Sequence, residues 1–301
     1  MVSKYFVISR RQIIIPEIRS DISGFNFISY LSQLLGNYSN VGNIDVDFRN
    51  VNWIDAHMLA PLGACLYKHR QNGNDVMLSN LNPQIDSILR KNGFLSFFNN
   101  EVRTRDKWGT IIPYRRFSIV EERTFPNYIT KLAKNRDNLR FNDKSRESLI
   151  FTTLELFNNA VSHSRSSAGV FVCGQYHPNA HILRFCLSDA GEGIRNNVSG
   201  FIGKAVTSEE AILWALERGN STRIDRPGGM GLHFLDNFAR NNLGNLHIVS
   251  GNAVVTTGAQ CHTQLTDGWF SGTYICMEIN TNKASSYLYD DSSEELDDEI
   301  F

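Results

Sequence analysis

The sequence predicts a mixed α/β protein built from two domains. Strand and helix patterns alternate through the first hundred or so residues, and a long amphipathic helix near residue 150 precedes further strand patterns and glycine-rich turns. At 301 residues the chain is about twice the length of a typical domain, so each half is long enough to bury its own core. We predict domains at residues 1–105 and 106–283 and an acidic tail at 284–301.

The composition is typical of a soluble globular protein. Hydrophobic residues make up 42% of the chain, and no apolar run approaches the roughly 20 residues needed to cross a bilayer. The N-terminus lacks the continuous apolar segment of a secretion signal, so we expect a cytoplasmic protein. The five cysteines are scattered and form no C-x-x-C pair, which argues against a disulfide framework or a zinc site.

The net charge of −1 hides a strongly acidic C-terminus. The last twelve residues carry seven acidic side chains and no basic one, which leaves a net charge of +6 on the rest of the chain. Such a segment is typical of a solvated, disordered extension, and docking of the tail against the basic body is the alternative. The body lacks a basic stripe interleaved with aromatic residues, so nucleic-acid binding is not indicated.

The first half of the chain has the pattern of a βαβ unit. Alternating apolar and acidic residues predict a half-buried strand at 44–48, and residues 76–78 predict a second strand. Between them we expect a helix over 58–67 with Asp55 as its N-cap, and a further helix should follow Pro83. Because strands alternate with helices, the strands should pair in parallel.

This pattern resembles the STAS domain, the small regulatory module of anti-sigma-factor antagonists. The matching parts are the strand at 44–48, the sequence Val51-Asn52-Trp53-Ile54-Asp55, the apolar helix, and a later helix ending at Gly93-Phe94. In that family a serine after the aspartate can accept a phosphate, whereas Ala56 and His57 follow Asp55 here. The resemblance implies a docking scaffold over residues 1–105 without a phosphorylated serine at that position.

The region between the two domains, residues 102–127, contains no Pro-, Gly- or Ser-rich linker. A strand-like run at 117–120 lies within it. We therefore expect the two domains to pack closely against each other.

The longest predicted helix, over residues 143–164, carries two polar side chains one turn apart. Glu155 and Asn159 project from the same side because they are four residues apart. The Asn159 amide oxygen suits a hard cation already held by phosphates, and Glu155 could accept a proton from an attacking water or hydroxyl. Alone, such a pair is ordinary helix surface. His163 lies near the helix C-terminus, where the helix dipole favours a cation and a structural role is expected.

Three glycine-containing segments follow this helix. Asp189 comes at a predicted strand end, just before two glycines, and could accept the exocyclic amine of adenine. The segment Pro227-Gly228-Gly229-Met230-Gly231-Leu232 precedes a helix, where exposed amides and the helix dipole favour phosphate. Ser271-Gly272-Thr273 begins a strand and places a hydroxyl beside an uncrowded backbone. Each segment alone would be an unremarkable turn.

Taken in order, these segments resemble the ATP-binding domain of the gyrase, heat-shock chaperone, histidine kinase and MutL (GHKL) superfamily. The matches are Glu155-Leu156-Phe157-Asn158-Asn159-Ala160 to its N box, Asp189-Ala190-Gly191-Glu192-Gly193-Ile194 to its first glycine box, Gly229-Met230-Gly231-Leu232 to its second, and Gly272-Thr273 to its last. The resemblance implies a Bergerat-type α/β sandwich over residues 106–283 that binds ATP with Mg²⁺.

The resemblance also implies roles for individual residues. Asn159 would ligate Mg²⁺, Asp189 would bind the adenine with support from Thr273, and Glu155 would be the catalytic residue that orients or deprotonates the acceptor. The remaining cofactor-binding residues would be Gly191, Gly193, Ile194, Gly229, Met230, Gly231 and Leu232. The segment between Ile194 and Gly228 would be a mobile lid with a helix at 211–216, from which Arg223 and Arg226 could reach the γ-phosphate or remain solvated.

The sequence on either side of these motifs indicates which members of the superfamily the chain resembles. Gyrase, MutL and the chaperone use a phosphate-contacting Lys or Arg from a further domain downstream, and here we expect only the acidic tail. Sensor histidine kinases carry a helical hairpin with a phospho-accepting histidine upstream, where this chain is predicted to be α/β. We therefore expect a regulatory protein that resembles the anti-sigma-factor serine kinases.

Three functions remain open from the sequence. They are phosphorylation of a partner protein on Ser or Thr, slow ATP hydrolysis coupled to dimerisation or partner capture, and ATP binding by a scaffold without turnover. The expected partners are ATP, a STAS-like or other regulatory protein, and a second copy of the chain. We expect no membrane association.

Overall fold

The computed structural model describes residues 7–9, 11–37, 42–134, 143–222 and 231–281. Its strands are β1 (Val7–Ser9), β2 (Gln12–Ile14), β3 (Ile44–Asp47), β4 (Val76–Ser79), β5 (Ile111–Phe117), β6 (Val170–His177), β7 (Ile182–Asp189), β8 (Asn245–Thr257) and β9 (His262–Asn280). Its helices are α1 (Ile22–Asn37), α2 (Leu59–Gln71), α3 (Pro83–Asn92), α4 (Phe94–Phe98), α5 (Phe125–Lys134), α6 (Asp143–His163), α7 (Gly193–Ile202), α8 (Ser208–Leu216) and α9 (Gly231–Asn241). The predicted mixed α/β class is confirmed.

The first sheet has four strands in the order β1-β2-β3-β4. β3 pairs in parallel with both β2 and β4, and α2 connects β3 to β4, so the predicted βαβ unit is confirmed. The predicted capping by the Asp55 side chain is wrong. Its carboxylate accepts the backbone N–H of Ser20 at 2.8 Å, because a parallel bridge between Ile18 and Ile54 brings that amide to it.

The second sheet has five antiparallel strands in the order β5-β6-β7-β9-β8. β9 therefore lies between β7 and β8, although it is the last strand in the sequence. The strand-like run expected at 117–120 ends early, because β5 stops at Phe117 and a 3₁₀ turn covers Ile119–Thr124. The carboxylate of Glu121 stabilises this turn, since it accepts the hydroxyl of Ser118 at 2.8 Å.

The five-stranded sheet is covered on both faces. α5, α6 and α9 pack on one face, where the rings of Phe125 and Phe157 stack with centroids 3.9 Å apart. α1 and α2 pack on the other face, so Phe185 and Cys186 of β7 point into different cores. The core under α1 and α2 also contains side chains of the four-stranded sheet. The two parts of the chain therefore pack closely, as expected from the absence of a linker. The domain boundary at 105/106 stays a prediction.

α2 lies very close to the five-stranded sheet. At Gly63 a Cβ atom would collide with the side chain of Tyr114 on β5, and the neighbouring residues Ala60 and Ala64 are also small and buried. Small side chains let a helix approach its neighbour closely and restrict how it can slide. The position of α2 on the sheet is therefore well defined.

Three expectations drawn from composition concern the cysteines, membrane-spanning helices and the acidic tail. All five cysteines are free, and all but Cys261 are buried. Within the described ranges, no helix combines the length and hydrophobicity required to cross a bilayer. The acidic tail at 284–301 lies outside the described residues, so its disorder stays a prediction.

A buried imidazole lies where the two parts meet. His57, in the 3₁₀ turn before α2, is 2% exposed, and burial lowers its pKa to about 3 although Asp55 opposes this shift. Arg184, His177 and His247 also disfavour its protonation. The folded protein therefore holds His57 in its neutral form.

We predict that the protein loses stability as the pH falls below about 6.5. The unfolded chain binds a proton at His57 more readily than the folded chain, so this group's contribution is complete above the unfolded pKa. Towards pH 3 it decreases by at most about 1.4 kcal/mol per pH unit. Urea unfolding across this range should show a smaller loss in His57→Gln than in wild type. His262→Gln removes an exposed imidazole and should keep the wild-type slope, and an equal slope in all three proteins would contradict the prediction.

Candidate functional site

A cleft of about 850 Å³, counting the part open to solvent, lies beside the end of β7. Residues of α6, α7, α8, α9, β7 and β9 line it. The cleft therefore brings together segments that are more than a hundred positions apart in the sequence, from Asn159 to Thr273.

Most of the predicted site residues share this cleft. Those that line it are Asn159, Asp189, Gly193, Ile194, Gly231, Leu232 and Thr273. Glu155 and Gly191 lie next to lining residues without lining the cleft themselves. Gly229 and Met230 fall outside the described residues, as do Arg223 and Arg226.

Asp189 provides a desolvated carboxyl group in the cleft. It is the last residue of β7 and is 4% exposed. Burial raises its pKa to about 7, against the lowering effects of backbone hydrogen bonds from Gly191 and Thr273 and of the charge on Lys68. Its Oδ1 atom accepts the N–H of Gly191 at 2.8 Å, and a carboxyl group can also accept hydrogen bonds from a ligand.

Two glycines make the turn at Asp189 possible. Gly272 has a φ of 114°, and a Cβ atom there would be 2.8 Å from both Asp189 Oδ1 and the backbone nitrogen of Gly191. A Cβ atom at Gly191 would collide with the carbonyl oxygen of Ser164, which accepts the N–H of Glu192 at 2.9 Å. The sequence suggested that Gly272 keeps the backbone beside Thr273 uncrowded. In the structure, Gly191 and Gly272 instead allow other backbone segments to approach closely.

Ser250 on β8 joins two of the glycine segments. Its hydroxyl accepts the N–H of Ile194 at 2.9 Å and donates to the carbonyl oxygen of Gly272 at 2.8 Å, and the Thr273 hydroxyl donates to it at 3.2 Å. The residue is 1% exposed. An isolated serine in a strand gives no signal of this role, because the role depends on the register that pairs Ser250 with Thr273.

The first residue of α9 lies against α6. A Cβ atom at Gly231 would be 3.0 Å from Asn159 Nδ2 and 3.2 Å from Glu155 Cβ. The start of α9 is thus beside the amide and near the carboxylate that the N-box motif singled out. The partial positive charge at a helix N-terminus favours an anionic ligand there.

The wall near α8 contains residues that sequence reasoning missed. Trp214 lines the cleft, and the Thr222 hydroxyl bonds to Nδ1 of His163 at 3.1 Å. The Asn197 side chain donates to the carbonyl oxygens of His163 and Gly193 at 3.0 and 2.9 Å. His163 thus links the end of α6 to neighbouring segments. A capping box at Thr207 and Glu210 was the available signal for the start of α8.

We predict that Gly272→Ala destabilises the protein by more than about 2 kcal/mol, because the new methyl group would require a strained φ and would meet the Asp189 turn. Gly200→Ala is the matched control. Gly200 lies inside α7 with nothing within 4 Å of an added Cβ, so alanine should stabilise the protein by about 0.5–1 kcal/mol. Urea unfolding followed by circular dichroism measures both changes, and equal stability of the two variants would contradict the prediction.

Comparison with known proteins adds little to this geometry. Neither a protein-family model nor a curated protein matches the sequence. Among solved structures, the chain is similar to the histidine kinase domain from Erythrobacter litoralis EL346 blue-light activated histidine kinase, with 12% sequence identity and a TM-score of 0.30. The similarity covers 69% of this chain and 77% of that chain. A likeness of this strength assigns no function.

Proposed function

We propose that the chain is a regulatory protein of the GHKL type that binds ATP with Mg²⁺ in the cleft beside Asp189. The supporting observation concerns the four motifs. Each of them has at least one described residue that lines the same cleft. Each motif alone is an ordinary turn or helix surface. The motifs come from four separate segments, as expected if they share a ligand.

The order of polar groups along α6 supports an extended nucleotide. Ser164, just after α6, contacts the turn that carries Asp189, while Asn159 and Glu155 lie five and nine residues earlier. At 1.5 Å per residue these positions are about 8 and 14 Å further along the helix axis. We propose that the base binds at Asp189 and the phosphates extend towards Asn159 and the start of α9.

The residues at each end fit the group proposed for them. At the base end, Leu187, Val198 and Ile275 give the cleft apolar walls, and the Asp189 carboxyl group can accept a hydrogen bond from the amino group of the base. At the phosphate end, the Asn159 amide oxygen could hold Mg²⁺, which usually has few protein ligands. When bound, the ion would neutralise phosphate charge.

The fate of the γ-phosphate separates the candidate activities. We propose that Glu155 accepts a proton at its carboxylate from a Ser or Thr hydroxyl of a partner, or from water in slow hydrolysis. Binding without turnover is the second candidate, because Glu155 does not line the cleft. In either case residues 1–105 would be a STAS-like module that docks a regulatory partner or supports dimerisation.

We predict that Asn159→Ala weakens Mg²⁺-dependent ATP binding by at least about tenfold, or roughly 1.4 kcal/mol. Asp189→Ala should weaken binding of both ATP and ADP, because it removes the acceptor for the base. Isothermal titration calorimetry with and without a chelator measures these effects. Asn158→Ala lies on the exposed side of the same helix and should bind like wild type. Wild-type affinity in both site variants would refute the proposed site.

We predict that Glu155→Gln lowers γ-phosphate transfer or release by about 10²–10⁴-fold while leaving ATP affinity nearly unchanged. ATP labelled at the γ-phosphate shows the fate of the group. Label on a protein Ser or Thr supports a kinase, free phosphate alone supports an ATPase, and neither product supports a binding scaffold. The matched control is Glu147→Gln, an exposed position on the same helix. If turnover occurs and Glu155→Gln does not change it, Glu155 has no catalytic role.

A further inference from the structure

The N-terminal part of the chain reaches the base end of the cleft through one side chain. Lys68 on α2 donates a hydrogen bond from Nζ to the carbonyl oxygen of Ala190 at 2.9 Å. Ala190 stands between Asp189, whose carboxyl group lines the cleft, and Gly191, whose N–H bonds to that carboxyl group. Lys68 thus holds the middle residue of the turn that carries the Asp189 carboxyl group.

A second side chain of α2 holds the neighbouring loop. Gln71 lies three residues after Lys68, on the same side of the helix, and donates to the carbonyl oxygen of Ser167 at 3.1 Å. Ser167 belongs to the loop that begins at Ser164, and the Ser164 carbonyl accepts the N–H of Glu192. α2 therefore contacts both backbone segments that frame the Asp189 carboxyl group.

Packing keeps α2 in position for these contacts. Gly63 lies directly against Tyr114 on the five-stranded sheet, and the methyl group of Ala190 is buried in the same core as the apolar residues of α2. The hydrogen bond from Lys68 thus begins on a helix that cannot slide easily and ends on a turn that is anchored in the same core.

The charge of Lys68 acts on Asp189 as well. It is among the influences that oppose the raised pKa of the Asp189 carboxyl group, along with the two backbone hydrogen bonds. A positive charge near a buried carboxyl group favours the ionised form. An ionised carboxylate is a stronger acceptor for the amino group of a base than a protonated one.

We propose that Lys68 is a positioning residue of the nucleotide site, which holds the Asp189 turn and its carboxylate in the form that binds adenine. This inference rests on the proposed ATP-binding function. It adds that the site is completed by a helix of the N-terminal part, outside the motifs that identified the site.

Lys68→Met tests the proposal, because it keeps the long apolar stem and removes both the donor and the charge. ATP affinity with Mg²⁺ is measured by calorimetry between about pH 6 and pH 9. Affinity should fall about tenfold near pH 7, and the pH at which binding is half-maximal should rise. Lys68→Arg should restore both values. Lys131→Met, at an exposed lysine on α5, should behave like wild type in both measurements.

The pH midpoint distinguishes positioning from a general loss of stability, which would lower affinity without moving the midpoint. If Lys68→Met does not fold, Lys68→Gln replaces it. Glutamine keeps a hydrogen-bond donor but has no charge, so the pH midpoint of binding should still rise in Lys68→Gln. Suppose that the folded variant keeps the wild-type pH midpoint while wild-type binding depends on Asp189. The role of Lys68 is then overturned, and the proposed ATP site is not. If the wild type binds no ATP at any pH, the proposed function fails and this inference fails with it.

Discussion

The burial of both faces of the five-stranded sheet is the constraint on which the rest of this structure depends. Alternate residues of β7 enter two different cores, so the middle of the strand has to be apolar on both sides. A charged group in that position would lose its hydration without compensation. Asp189 lies at the end of β7, and the segments that contact it have to reach the same edge of the sheet.

Crowding of backbone at that edge follows from this constraint. Three backbone segments approach one another closely at this edge: the end of α6, the turn after β7 and the part of β9 around Gly272. Gly191 and Gly272 therefore have no room for a side chain. The Ser250 hydroxyl joins two of these segments, because it accepts the N–H of Ile194 and donates to the carbonyl oxygen of Gly272. The cleft thus owes its shape to contacts within the protein.

Local pattern was sufficient to predict several parts of the molecule. The strand at 44–48, the parallel βαβ unit and the long helix that became α6 follow from periodicity, because each depends mainly on residues close in sequence. The motif order also pointed to residues that the cleft brings together, such as Asn159 and Asp189. The Asp55 cap failed because a distant strand segment supplied a competing amide from Ser20. Ser250 and Lys68 gave no signal, since their roles arise only from strand register and from the placement of α2.

The core between α2 and the sheet has a consequence for the independence of the two halves. Phe171, Cys173 and Tyr274 belong to the five-stranded sheet, yet their side chains are buried by the N-terminal helices. A fragment limited to residues 106–283 would present this apolar face to water, and large exposed apolar patches promote aggregation. The N-terminal part therefore completes the core of the sheet that carries the cleft. A chimera that replaced it would need a new surface of matching shape.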